Sequence, residues 1–401
     1  MTRRLTWQPA AAAMFVCGWG GNQFTPLLVM YRHAGYPTLT VNVLLGAYVV
    51  GLVPGLLLSG GWSERLGRRP VLIGGVVASL LASVFLAAGG EGVAWIAAGR
   101  LVTGVGVAVA MAVGTTWVTE LSDRREAGAR RAALWLTAGF GLGAGVAGVL
   151  AQWGPAPMVL PYLVHVVLAA AVLPFLPRLP ETRREATRPG FAGVRHPRFT
   201  RVILPMAPWI FGSAGVAYAI MPQLVGDRLG SWGLLYSTTL TVATLGAGVL
   251  VQPIGKRLDR PTSARAVATA MVVMSAGLAL SAAAAVVRSP SLALVAAVAL
   301  GGAYGIAVVA GLLELQRLAR PGELAALTGV YYALAYVGFL LPSILTLLSA
   351  VAGYPVLLGG LVFVALGGTA VILRHSRAHL PADAGVPDRH TSEAVSPPSR
   401  T

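Results

Sequence analysis

Twelve long apolar runs, separated by loops that are alternately loaded with arginine and nearly bare of it, leave this chain one architecture to fold into: a bundle of membrane-crossing helices. The runs cover residues 9–30, 40–60, 71–89, 93–118, 132–152, 159–176, 202–225, 234–255, 266–287, 292–313, 324–349 and 356–373. Each is close to the roughly 20 residues a helix needs to cross a hydrocarbon core. Along one side lie Arg3 and Arg4, then Arg65, Arg68 and Arg69, then Arg124, Arg125, Arg130 and Arg131, and then the arginines of residues 178–201. The same side collects Lys256, Arg257, Arg260 and Arg265, then Arg317 and Arg320, and finally Arg374, Arg377, Arg389 and Arg400. Of the 30 Lys and Arg residues only Arg32, Arg228 and Arg288 fall on the opposite side, and Arg100 falls within a span. Basic loops are retained on the cytoplasmic side, so both termini are expected there.

Composition excludes the competing classes. With 56% hydrophobic and only 11% charged residues over 401 positions, and a mean hydropathy of +0.73, the chain carries too little charge for a soluble globular protein. The net charge of +16 does not indicate nucleic-acid binding. The arginines are dispersed over short loops, where the phosphates of the inner leaflet are the nearest anions. Cys17 is the single cysteine, so no intramolecular disulfide forms. The start, Arg3-Arg4 before an apolar run, has the look of a signal peptide. The run continues through Asn22 and Gln23 without a small-x-small cleavage site, and is read as a retained first helix. Lys256 is the only lysine, a bias expected of a GC-rich bacterial genome.

The charged, proline-containing stretch 178–201 divides the chain into a first six-helix half, residues 1–177, and a second, residues 202–374. Residues 375–401 read as a disordered cytoplasmic tail. An offset near 190–196 residues superposes the halves: Thr25-Pro26-Leu27-Leu28-Val29 on Met221-Pro222-Gln223-Leu224-Val225, and Glu120 on Glu314. Duplicated bundles of this kind enclose a cavity reached from alternate sides.

Between spans 2 and 3, on the arginine-rich side, stands Gly60-Gly61-Trp62-Ser63-Glu64-Arg65-Leu66-Gly67-Arg68-Arg69. It resembles the loop signature of the major facilitator superfamily, with Glu64 where that family more often has aspartate. The second signature, in span 4, is Arg100-Leu101-Val102-Thr103-Gly104-Val105-Gly106, similar to the family's Arg-x-x-x-Gly-x-Gly. The resemblance implies an all-α major facilitator fold of 12 transmembrane helices in two pseudo-symmetric bundles. It also implies a monomer in a plasma membrane, here bacterial, driven by a proton gradient and needing neither cofactor nor metal.

In that loop Gly67 is expected to take a backbone conformation other residues resist, and Gly60 to let two helices approach. Glu64 is placed to meet the positive N-terminal end of span 11 at Glu323-Leu324, a latch made only when the cytoplasmic ends are together. Glu120 and Glu314, at the cytoplasmic ends of spans 4 and 10, resemble the family's inner charge network. It would pair Glu120 with Arg68, Arg69 or Arg130, and Glu314 with Lys256 or Arg257. Arg100, inside a span, costs at least about 2.5 kcal/mol to insert and must face protein or a wet cavity. Its expected neighbours are carbonyls and the amides Asn22 and Gln23 of span 1; the family resemblance gives the matching arginine a part in proton movement, a strap between helices 1 and 4 is the plainer role, and neutralising an anionic substrate a third.

Family resemblance makes spans 1, 4, 7 and 10 the cavity-facing ones, with 2, 5, 8 and 11 beside them. The candidate cavity residues are therefore Asn22, Gln23, Tyr48, Trp135, Tyr218, Gln223, Tyr304, Tyr332 and Tyr336, with Trp19, Trp209 and Phe339. Tyr332, Tyr336 and Phe339 share one helix face by their i, i+4, i+7 spacing. Rings with a few amides suit a flat, lipophilic molecule, a cationic one included. Trp232 and Tyr354 are read as interface anchors. None of the 14 acidic residues lies near mid-membrane. His165 and Asp227 are thus the candidate proton carriers, although a lone histidine on an outer helix is more often a packed side chain.

Span 5, Gly139-Phe140-Gly141-Leu142-Gly143-Ala144-Gly145-Val146, is similar to the glycine-rich signature of drug exporters. It keeps the Gly-x-x-x-Gly spacing, but Val146 stands where the signature has proline. Efflux of a lipophilic compound against protons is the leading expectation. Sugar or other nutrient uptake by proton symport is the alternative, because Leu179-Pro180-Glu181-Thr182-Arg183 resembles the Pro-Glu motif of sugar porters. A non-transporting receptor is the reading from another class. Enzymatic activity is not expected: no metal-ligand spacing, Gly-x-Ser-x-Gly or phosphate-binding loop occurs.

Overall fold

The computed structural model describes residues 7–182, 192–320 and 323–380. Arg3, Arg4, Arg183, Arg389, Arg400 and nearly all of the expected C-terminal tail lie outside the described residues. In hydrocarbon every backbone polar group must be satisfied within its own segment, so each apolar run is a helix. Eleven are continuous and long enough to cross: α2 (Thr38–Leu66), α3 (Arg68–Glu91), α4 (Val93–Glu120), α5 (Arg125–Trp153), α6 (Leu160–Arg178), α7 (Phe199–Arg228), α8 (Gly230–Leu258), α9 (Arg265–Val287), α10 (Pro290–Leu318), α11 (Ala326–Leu348) and α12 (Tyr354–His375).

The first span is broken. Its α1 runs over Gln8–Asn22, passes a tight turn at Thr25–Leu27, and resumes over Leu28–His33. Pro26 brings no N–H to the ladder, and the Thr25 hydroxyl donates to Asn22 Oδ1 at 2.9 Å, holding the break. The side chain of Asn22 is thereby committed to its own turn, with Nδ2 donating to the Phe140 carbonyl at 3.3 Å.

Packing repeats between the halves. In the first half α2 lies on α4, α3 on α4 and α6, and α1 on α5. In the second, α8 lies on α10, α9 on α10 and α12, and α7 on α11. A side chain at Gly104 would run into the backbone of α2 at Tyr48 and Leu52, and one at Gly301 into the backbone of α8 at Thr244. Loss of either glycine would push its pair of helices apart.

Between halves, α2 packs on α11 and α5 on α8. All hydrogen bonds that join the two bundles, among the described residues, lie in the outer or middle thirds. Asn42 donates to Thr346 at 2.7 Å, Gln152 donates to the Ser231 carbonyl and accepts from Leu235 N, and Tyr336 donates to Met111 Sδ. Two glycine ladders measure how the helices diverge below. On α5 a Cβ at Gly148 would collide with Thr238, one at Gly145 would meet Val242 at 3.6 Å, and one at Gly141 would meet nothing. On α2 a Cβ at Gly46 would press Leu340 at 3.0 Å, Gly329 of α11 faces Leu56 at 3.6 Å, and Gly60 and Gly61 face open space. The molecule is therefore closed at its outer ends and splayed toward the cytoplasm.

Candidate functional site

Where the bundles meet at mid-membrane, rings from both halves form one cluster. Tyr48 of α2 stands edge-on to Tyr336 and Phe339 of α11, with centroids 5.8 and 5.9 Å apart. Phe211 of α7 stacks on Tyr336 at 4.2 Å and on Phe339 at 5.3 Å, and Tyr218 closes the outer side. Tyr48, Tyr218, Tyr336 and Phe339 are buried, whereas Phe211, Tyr304, Tyr332 and Met111 are half-buried on the splayed side. The buried set is a roof, and the half-buried set lies toward its cytoplasmic side. The helices that line it are locally underwound: π-type turns occur at Ala110–Gly114 in α4 and Val216–Ile220 in α7, a feature common at functional sites.

Arg100 stands against this roof. Its guanidinium lies over the faces of Phe24 and Tyr48, 4.6 and 4.8 Å from their centroids, and donates to the carbonyls of Leu44 and Leu45, each at 3.2 Å. Nη1 has no partner although the residue is buried. Two ring faces and two carbonyls offset part of the desolvation of the charge, and one N–H remains to donate. The hydrogen-bonded strap thus runs from α4 to α2 rather than to Asn22 and Gln23 of the first span, whose amides donate to Phe140 and Ser83, and a free donor coexists with it in the same side chain.

The other expected cavity residues are dispersed. Trp135 packs on Phe15 in a lipid-side groove between α1, α5 and α6, away from the roof. Gln223 donates to Tyr354 at 2.8 Å, and Tyr354 donates to Thr346 at 3.1 Å. Both therefore belong to the outer seal, and Tyr354 is not a plain interface anchor. Gln23 turns into the first bundle, donating to Ser83 at 2.7 Å. Ser83 in turn bonds His165 Nδ1, and His165 Nε2 donates to the Val16 carbonyl at 2.8 Å. His165 thereby ties α1, α3 and α6 together. Asp227 makes a half-exposed ion pair with Arg288 in the outer loops.

At the cytoplasmic ends, Glu120 has one of its expected partners, Arg68, whereas Glu314 has one that the sequence pattern does not pick out. Glu120 pairs with Arg68 at 3.4 Å and accepts from Thr182 at 2.5 Å. Arg69 binds the carbonyls of Pro177 and Leu179, and Arg130 is exposed. Glu181 caps the start of α3, accepting from the backbone N–H groups of Arg68 and Arg69 beside Gly67, whose φ is 104°. Glu314 is gripped not by Lys256 or Arg257, which are exposed, but by Arg198. That contact is a fully buried fork with Nε and Nη2 at 2.6 and 2.8 Å. Among the described residues Glu64 has no hydrogen bond or ion pair, and Glu323 accepts instead from Ala192 N. Gly60, expected at a close helix approach, faces open space because the inner ends are apart.

Comparison with known proteins agrees with this arrangement. The Major Facilitator Superfamily model matches residues 10–343. The crystal structure of a D-xylose-proton symporter superposes with a TM-score of 0.69 at 16% identity, covering 91% of this chain and 96% of that one; at that identity the likeness is one of fold. A chloramphenicol resistance protein of Pseudomonas aeruginosa is 41% identical over 69 residues, 17% of this chain and 16% of that protein, so the chain matches only a small part of its curated relative. Two six-helix halves, a roof of rings at their junction and a family match over most of the length make this chain a member of the major facilitator superfamily, a multi-pass membrane transporter and not an enzyme.

Proposed function

We propose that the chain exports a flat, lipophilic, neutral or anionic small molecule across a bacterial plasma membrane in exchange for protons. The observation that carries this reading is the ring roof with Arg100 set into it. The surfaces beneath it are Phe211, Tyr304, Tyr332 and Met111, which offer apolar faces and few hydrogen-bond donors. A cationic substrate is disfavoured because Arg100 already occupies the faces of Phe24 and Tyr48, and among the described residues no carboxylate stands in the spans near it. The short stretch shared with a chloramphenicol resistance protein points the same way. Nutrient uptake by symport is the second reading. It is favoured by Glu181 and Thr182 of the Pro-Glu segment, which engage the α2–α3 turn and Glu120.

The test is proton flux in everted vesicles with an acid interior. Addition of neutral or anionic lipophiles is expected to dissipate the gradient, and Arg100→Ala to lower that flux at least tenfold with the protein still inserted. Dissipation by sugars alone would establish the second reading. A protein that moves no compound and instead binds a protein partner would be a receptor.

The latch reading of Glu64 rests on its freedom in the splayed state. Glu64→Gln is expected to leave insertion and stability unchanged while slowing turnover several-fold, because only the opposite state would use the carboxylate. Unchanged transport kinetics would remove the latch.

A further inference from the structure

We infer that the groove between the cytoplasmic ends of α9 and α12 is a binding site for one anionic phospholipid of the inner leaflet. The groove encloses about 570 Å³ and carries Arg265, Arg374 and Arg377 at its rim, with Ala268, Val272 and Leu373 below. Ala268 and Val272 follow Arg265 at i+3 and i+7, so one face of α9 passes from a cation to an apolar slot over two turns. Val272 is 53% and Leu373 55% exposed, on faces turned outward where acyl chains lie.

Among the described residues no carboxylate neutralises the charge at the rim. Arg374 and Arg377 have no carboxylate partner among the described residues. Arg265 uses Nε and Nη2 on the carbonyls of Leu258 and Arg257, which fixes its guanidinium at the rim without cancelling its charge. A phosphodiester supplies the missing anion and its acyl chains fill the slot, which a free phosphate cannot do. Basic pockets between helices on the cytoplasmic side are suited to such headgroups.

The site is wired to the gate pair of the second half. Ser376, in the groove wall, accepts through its carbonyl from Ala264 N at 2.9 Å and from Arg198 Nη1 at 3.3 Å; Arg198 is the residue that grips Glu314. A lipid bridging the start of α9 and the end of α12 therefore holds the segment that orients Arg198.

The test needs no transport substrate, so it fails or succeeds apart from the efflux reading. Full-length protein in dodecyl maltoside is titrated with phosphatidylglycerol, phosphatidylcholine or inorganic phosphate and followed by native mass spectrometry and thermal unfolding. Phosphatidylglycerol alone is expected to be retained as one tight copy and to raise the melting temperature. In the Arg374→Gln/Arg377→Gln variant that retention is expected to weaken at least tenfold. The control Arg124→Gln/Arg125→Gln, which removes the same charge from a loop of the first half, is expected to behave as the parent. Equal retention by the groove variant and the parent would overturn the site, as would an equal stabilisation by inorganic phosphate.

Discussion

Arg198→Met is expected to lower folding stability by about 3 kcal/mol, the low end of the range for breaking one side of a buried ion pair. The variant leaves the carboxylate of Glu314, 1% exposed, without the two charge-assisted bonds that now satisfy it. Arg317 limits the loss, because its Nη1 stands 3.5 Å from Glu314; it is already committed to Asp259 and compensates only in part. Arg198 also ties down the carbonyls of Ser376 and Ala378, so its removal should loosen the end of α12 as well. The double variant Arg198→Met/Glu314→Leu is expected to recover most of the melting temperature, since an apolar pair of similar volume removes the stranded charge. Thermal unfolding in detergent reads both. A single variant that melts with the parent would show that Glu314 does not depend on Arg198.

The contrast between what was legible in the sequence and what was not follows from the solvent. Span positions and the sidedness of the loops are readable because hydrocarbon imposes a length and loops carry the charge asymmetry. The break in α1 lies at Pro26, yet Pro54 and Pro208 stay inside continuous helices, so proline alone does not mark it; the Thr25–Asn22 bond does. Rotation about a helix axis is a different matter. Trp135 and Tyr336 are both aromatic residues in spans, and lipid accepts a ring as readily as a cavity does, so only packing separates the lipid groove from the roof. Phe211 was missed, although its spacing of seven from Tyr218 puts both on one face of α7. The Arg68 partner of Glu120 is legible from the loop motif, but Thr182 beside it and the Arg198 partner of Glu314 depend on the path of the 178–201 segment. Seven arginines there are equivalent in the sequence, and it is the fold that brings Arg198 onto Glu314. Glu181, noted only as part of a motif, caps α3, a role that needs the third dimension.

The largest functional effect is expected from one added side chain on the outer seal. Gly148 of α5 faces Thr238 of α8 so closely that a Cβ cannot be placed without moving one helix, and Thr238 is 5% exposed, with its hydroxyl bonded back to the Leu234 carbonyl. Gly148→Leu therefore penalises the outer-closed arrangement, at about 1–3 kcal/mol for overpacking a tight contact. In the opposite state α5 and α8 part at this level and the leucine meets space or lipid. A penalty borne by one state alone shifts the balance by about 5- to 150-fold, enough to trap an alternating-access protein with its outer side open and to suppress turnover accordingly. The glycine ladder supplies internal controls. Gly145→Leu, opposite Val242 at 3.6 Å, should have a smaller effect, and Gly141→Leu, which meets nothing within 4 Å, none on closure. The readout is labelling of Asn42→Cys by a membrane-impermeant maleimide applied from outside, in a Cys17→Ser background. Position 42 is buried here against Thr346, so its reactivity should rise strongly with Gly148→Leu, modestly with Gly145→Leu and not with Gly141→Leu. Equal reactivity in all three would mean that the α5–α8 contact does not close the outer side.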